Sequence, residues 1–141
     1  MDYGLIGPML SLSISAVGSC IGCWIAGAAS HAVMSRVEEG HAKFIAMSAA
    51  PSSQLIYGFI LMLLMAGKIK AGALSPEAGV VIGFLAGCAF FASSVFQGRV
   101  CATGMQATAK QPALFGKCFV AIGVIESFAL FAFVFTLLLI G

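Results

Sequence analysis

Residues 115–140 read FGKCFVAIGVIESFALFAFVFTLLLI. After Lys117 this stretch carries one charged side chain, Glu126. A helix needs about 20 mostly apolar residues to cross a bilayer, and residues 117–140 supply them. Glu126 sits nine residues past Lys117, with fourteen residues following it to Ile140. At 1.5 Å per residue the first interval is about 13 Å, which is close to the middle of a membrane about 30 Å thick. An acid at that depth costs about 2.5–3.5 kcal/mol on insertion scales, and acids kept at that cost mark ion and proton paths. The competing reading is a protonated glutamate that only hydrogen-bonds a neighbouring helix.

Three more stretches of the same kind lie upstream, at about Leu5–Met34, Phe44–Ala66 and from Ser75-Pro76 to about Gly104. Serine followed by proline is a helix-start signal, because proline needs no backbone donor at the first helical position. The connections, Ser35–Lys43, Gly67–Ser75 and Met105–Leu114, are short enough to force neighbouring helices antiparallel. The expected fold is an all-α membrane protein of four transmembrane helices in two tandem hairpins. Residues 1–66 form the first hairpin, 67–76 a connecting loop and 77–141 the second, which carries Glu126.

Composition agrees. The chain has 141 residues, 61% hydrophobic and 9% charged, with a net charge of +2. A soluble domain averages about 25% charged residues, and no basic cluster suggests nucleic acid. The opening MDYGLIGP has an acid and no basic n-region, so no cleavable leader is expected. Cys20, Cys23, Cys88, Cys101 and Cys118 are odd in number, and Cys20-x-x-Cys23 lacks a second ligand pair. They are expected to behave as small apolar packing residues. His31 and His41 have no partner at ligand spacing and are read as interfacial, His41 in a loop. Trp24 lies too deep in the first helix for an interface anchor.

The hairpins look related. An offset of 72 places Gln54 over Glu126, Phe59 over Phe131 and Ala49 over Ala121; an offset of 71 places Gly27 over Gly98 and Met34 over Met105. This is a duplication in one orientation, unlike the inverted repeats of many transporters. Arg36, Lys43, Lys110 and Lys117 flank the first and third loops, with Arg99 near the end of helix three, against Lys68 and Lys70 on the other side. The positive-inside rule then makes those two loops cytoplasmic and both termini outward.

Gly18-x-x-x-Gly22 and Gly79-x-x-x-Gly83-x-x-x-Gly87 give helices one and three a small-residue face, which lets backbones approach closely. Helix four is bulky, with Phe128, Phe131, Phe133 and Phe135. Thin helices suit the inside of a curved wall, so a ring is one outcome and ordinary packing within one chain is the other.

Asp2, Glu38, Glu39 and Glu77 lie at span ends or in loops. Inside the spans, Glu126 has company in Gln97, Ser53 and Gln54, and Tyr57 shares a helix face with the last two. Pro51 removes a backbone donor and disturbs the local ladder, which is expected to tilt the Ala50 carbonyl toward a ligand. Two amide oxygens, a hydroxyl, a carboxylate and a carbonyl make an all-oxygen set with one negative charge. That set suits a hard monovalent cation. Interhelical hydrogen bonding is the alternative role for each residue taken alone.

PSSQLIYGF at 51–59, FQGRVCATGMQATAKQP at 96–112 and VIESFALFAFVF at 124–135 resemble the proteolipid, or rotor-ring, subunit of V-type and A/V-type ATPases in its duplicated four-helix form. The resemblance implies a homo-oligomeric ring in the cell membrane, embedded in lipid, turning against a stator subunit and coupled to central-stalk subunits. It implies that Glu126 carries the ion. Gln97, Gln54, Ser53 and the Ala50 carbonyl complete a Na⁺ site, and Tyr57 hydrogen-bonds the carboxylate; H⁺ is the alternative cargo. Ser53 stands where Thr is usual and Ala50 where Leu is frequent, which implies a looser pocket. With Gln54 opposite Glu126 in the repeat, one ion is carried per four helices.

A bare carboxylate facing lipid is costly, so Glu126 is expected to meet lipid only when neutralised. A cation from the stator would pair with it when empty. No phosphate-binding loop is present, so nucleotide hydrolysis belongs to other subunits. Two rivals remain at this level. A small four-helix drug exporter would carry its acid in the first helix of a shorter, unduplicated chain. A purely structural proteolipid would not need Gln97, Gln54 and Glu126 together.

Overall fold

Four apolar runs joined by short polar links become four spans in the computed structural model, which describes residues 3–141. Asp2, expected at a span end, lies outside the described residues. A turn of 3₁₀ helix at Tyr3–Leu5 leads into α1, Ile6–Met34. The second span is α2, His41–Ala49, and α3, Ser53–Lys70, joined by a 3₁₀ turn at Ala50–Ser52. The third is α4, Pro76–Lys110, and the fourth is α5, Phe115–Ile140, entered through a 3₁₀ turn at Pro112–Leu114. The described residues contain no strand.

The expected helix start at Ser75-Pro76 is there: the Ser75 hydroxyl accepts from the Ala78 amide, 3.2 Å away, with Pro76 in the first turn. Other ends differ. α4 runs to Lys110 rather than Gly104, and α3 to Lys70 rather than Ala66. Hydropathy locates the part of a helix that lipid demands. Gln106 and Lys110 are exposed and can stay helical in water, so the helix outlasts the bilayer. His41 consequently opens α2 instead of lying in a loop, with Nε2 2.8 Å from the Val37 carbonyl. Arg99 is exposed and still has eleven residues of α4 ahead of it, so it is not near the helix end as expected.

Two layers follow from residue size. α1 and α4 pack most intimately, because their glycines let backbone meet backbone. A Cβ added to Gly98 would collide with the Gly22 carbonyl, and one added to Gly83 with the Gly7 carbonyl. The small-residue faces are thus filled from within the chain, which accounts for the spacing without a second copy. α3 lies against both inner helices and α5 chiefly against α4. α5 leaves Phe128, Phe131, Phe135 and Leu138 exposed, apolar surface suited to lipid. Of the five cysteines, all free, Cys101 is buried and Cys20 exposed.

Two apolar clusters stack along the axis. Val33, Phe44, Met47, Cys101, Met105 and Ile122 form one, toward the 35–40 loop. Leu61, Met65, Ala86, Phe90 and Ala129 form the other. Between them lies a polar layer from α3, α4 and α5.

Candidate functional site

The polar layer exists because α3 breaks where it must. Pro51 has no N–H to continue the helix, so the chain tightens into the 3₁₀ turn Ala50–Ser52 before α3 starts at Ser53. The Ser94 hydroxyl of α4 donates to the Pro51 carbonyl at 2.6 Å and holds that turn against the inner layer. Ser53, Gln54 and Tyr57 follow on the first turn and a half of α3, which faces α4 and α5.

Gln54 and Gln97 are both fully buried. Gln54 Nε2 donates to Gln97 Oε1 at 3.0 Å and to the Ser93 hydroxyl at 3.2 Å. Gln97 Nε2 donates to the Ile122 carbonyl at 3.2 Å and to Glu126 Oε2 at 3.4 Å. The Tyr57 phenol donates to Glu126 Oε1 at 3.0 Å. Each carboxylate oxygen therefore has one donor, and the donors come from two other helices. Glu126 itself is half-buried.

Ser53 completes the group. Its hydroxyl lies 3.1 Å from the Ala50 carbonyl and 3.2 Å from Gln54 Oε1. The Ala50 carbonyl also accepts from the Ser53 amide. It is therefore turned back on its own chain, not swung free as the disturbed ladder at Pro51 suggested.

All six residues singled out from the sequence thus sit on one connected set of hydrogen bonds. Each amide nitrogen has two hydrogens, and all four are used. What the group has left is lone pairs on Gln54 Oε1, Gln97 Oε1, Ser53, the Ala50 carbonyl and the carboxylate. Such a set can meet a hard cation or hold a proton. Among the described residues no three His, Cys, Asp or Glu side chains gather.

Several partners are not foreseen from sequence. Ser93 accepts from Gln54 and donates to the Ile125 carbonyl at 3.0 Å. Its signal is available: it precedes Gln97 by four and so shares its face. Phe90 and Phe133 hold the Tyr57 ring, with centroids at 6.2 and 5.7 Å. Their contribution depends on how the helices dock, and no local pattern carries it.

The family model for the C subunit of ATP synthase matches this chain twice, over residues 6–65 and 80–139. The chain is similar to the A-type ATP synthase subunit K of Methanocaldococcus jannaschii, 31% identical over 137 residues, which are 97% of this chain and 61% of that protein. The chain thus spans about three fifths of that relative's length. It is also similar to the V-type sodium ATPase subunit K of Enterococcus hirae, 26% identical over 152 residues, covering 99% of this chain and 97% of that protein.

Proposed function

The chain belongs to the ATP synthase C-subunit family, and from that premise we propose that it is the membrane rotor subunit of a V- or A-type ATPase that carries Na⁺ on Glu126. The observation behind the reading is the half-buried carboxylate at midspan, held by Tyr57 and Gln97 and hydrogen-bonded into the same network as the oxygens of Gln54, Gln97, Ser53 and Ala50. The sodium ATPase relative supports Na⁺ as cargo.

In this reading copies of the chain form a ring whose Glu126 faces are presented in turn to a stator subunit. The ion neutralises Glu126 while it faces lipid, where a bare charge is disfavoured. At the stator a cationic side chain of the partner takes the ion's place, and the ion leaves. Gln54 stands opposite Glu126 in the repeat, so each chain carries one ion. The loops at 35–40 and near residue 111 face the cytoplasm and the central stalk, as the Lys and Arg distribution favours.

Protons are the second reading, and one observation favours it. The Ser53 hydroxyl has its one hydrogen within reach of the Ala50 carbonyl and of Gln54 Oε1 without an ion, and Glu126 needs only a proton to be neutral. A hydrophobic carbodiimide, which reacts with a protonated carboxyl in an apolar setting, separates the two. Under the sodium reading Glu126 is labelled, less so as pH rises, and Na⁺ protects it at fixed pH. Labelling without Na⁺ protection assigns protons; no labelling at any pH overturns the ion-carrier reading.

A further inference from the structure

We infer that Ser93 is a positioning residue that, together with Gln97, fixes which way round the buried Gln54 amide faces, so that Gln54 turns its oxygen, not its nitrogen, toward Ser53. The inference rests on the ion-carrier reading of Glu126 and adds a residue to it.

An amide can sit in a site either way round, and the choice must come from a neighbour whose role is not reversible. A backbone carbonyl is such a neighbour, because it only accepts. Two carbonyls of α5 touch the layer. Ile125 accepts from the Ser93 hydroxyl at 3.0 Å. A hydroxyl has one hydrogen, so Ser93 can only accept on its other side. The Gln54 atom facing it, at 3.2 Å, is therefore the nitrogen. Ile122 accepts at 3.2 Å from Gln97, which makes that atom Nε2 as well. Gln97 then offers its oxygen to the second hydrogen of Gln54 at 3.0 Å.

The order is set at both ends by the helix that bears Glu126. Gln54 Oε1 is left beside the Ser53 hydroxyl, where a cation would need it. Removing the Ser93 hydroxyl leaves one end unanchored. Gln54 Nε2 then keeps only Gln97 Oε1 as a fixed partner, so the amide loses half of its anchoring and its oxygen is held less firmly beside Ser53, where a cation would need it.

The test uses the full chain in native membranes, with carbodiimide labelling of Glu126 as the probe. Ser93→Ala is compared with Ser93→Thr, which keeps the hydroxyl. A second comparison is Ser15→Ala, which removes another fully buried serine hydroxyl, one bonded only within its own helix. The quantity read is the Na⁺ concentration that halves labelling, or the pH of half-labelling if Na⁺ does not protect the parent chain.

Ser93→Ala is expected to raise the half-protecting Na⁺ concentration about tenfold, the size of one hydrogen bond's net effect. Ser93→Thr and Ser15→Ala should stay within about twofold. With protons as cargo, the pH of half-labelling should move in Ser93→Ala alone. A parent-like Ser93→Ala, or an equal change in Ser15→Ala, overturns the role of Ser93 while leaving the ion-carrier reading intact. A shift that Ser93→Thr does not reverse does the same. A parent chain that never labels removes that reading itself.

Discussion

The phenol of Tyr57 lies 3.0 Å from Oε1 of Glu126, across 69 residues of sequence and from one outer helix to the other. The ring that carries it packs against Phe90 and Phe133, which also touch each other, so apolar contacts hold the ring that aims the donor. That makes the hydroxyl separable from the packing.

Tyr57→Phe keeps the ring and deletes the donor. A hydrogen bond to a charged group is worth about 1.5–3 kcal/mol, so the half-protecting Na⁺ concentration should rise by about tenfold or more. The thermal stability of the detergent-extracted protein should fall by no more than that bond is worth, because the ring and its contacts with Phe90 and Phe133 remain. A large fall in melting temperature with unchanged protection would assign Tyr57 to packing.

Glu126→Gln should abolish carbodiimide labelling and ion movement while leaving the helices assembled, since a neutral amide at midspan is easier to insert than an acid. Circular dichroism and labelling, measured on the same preparation, check both halves. Retained ion transport would move the carrier elsewhere.

Gln54 and Gln97 should couple. Either one changed to leucine strands the other's amide in a buried layer, where an unsatisfied polar group costs about 1–3 kcal/mol. Changing both removes the stranded group on each side, so the double variant should be more stable than the sum of the single losses. Denaturation of all four forms in detergent measures that coupling. Additive losses would show that the pair is independent.

Two glycines with the same residue type should behave oppositely. Gly98→Ala drives a Cβ into the Gly22 carbonyl, and overpacking of this sort costs about 1–3 kcal/mol. Gly27→Ala meets nothing within 4 Å and should be neutral or stabilising by up to about 1 kcal/mol through helix propensity. Melting temperatures decide; equal losses would mean the inner layer tolerates separation.

Much of this is legible without coordinates. Lipid leaves helices few alternatives, so the four spans show as apolar runs, and the Ser75-Pro76 start can be placed to the residue. Glu126, Gln97 and Gln54 stand out because polar atoms are scarce around them. Helix ends are less legible, since hydropathy marks where lipid stops and α4 continues past it to Lys110. The Ala50 carbonyl departs from expectation for a related reason: Pro51 predicts a disturbed ladder, but not that Ser53 takes up the carbonyl it exposes. Ser93 does not stand out because serine is common in membrane helices, and only docking of α5 shows what its hydroxyl meets. Phe90 and Phe133 are hidden for the same reason among twelve phenylalanines.

The apolar clusters above and below the polar layer have an electrical meaning. They are two insulators in series with a charge store between them. The membrane voltage, worth about 2.3 kcal/mol per elementary charge per 100 mV, falls across these apolar layers. A vesicle holding this chain alone should therefore keep its potential. If Glu126 carries the ion as proposed, charge crosses only when an outside surface meets its flank, and a ring parted from its stator would not short-circuit.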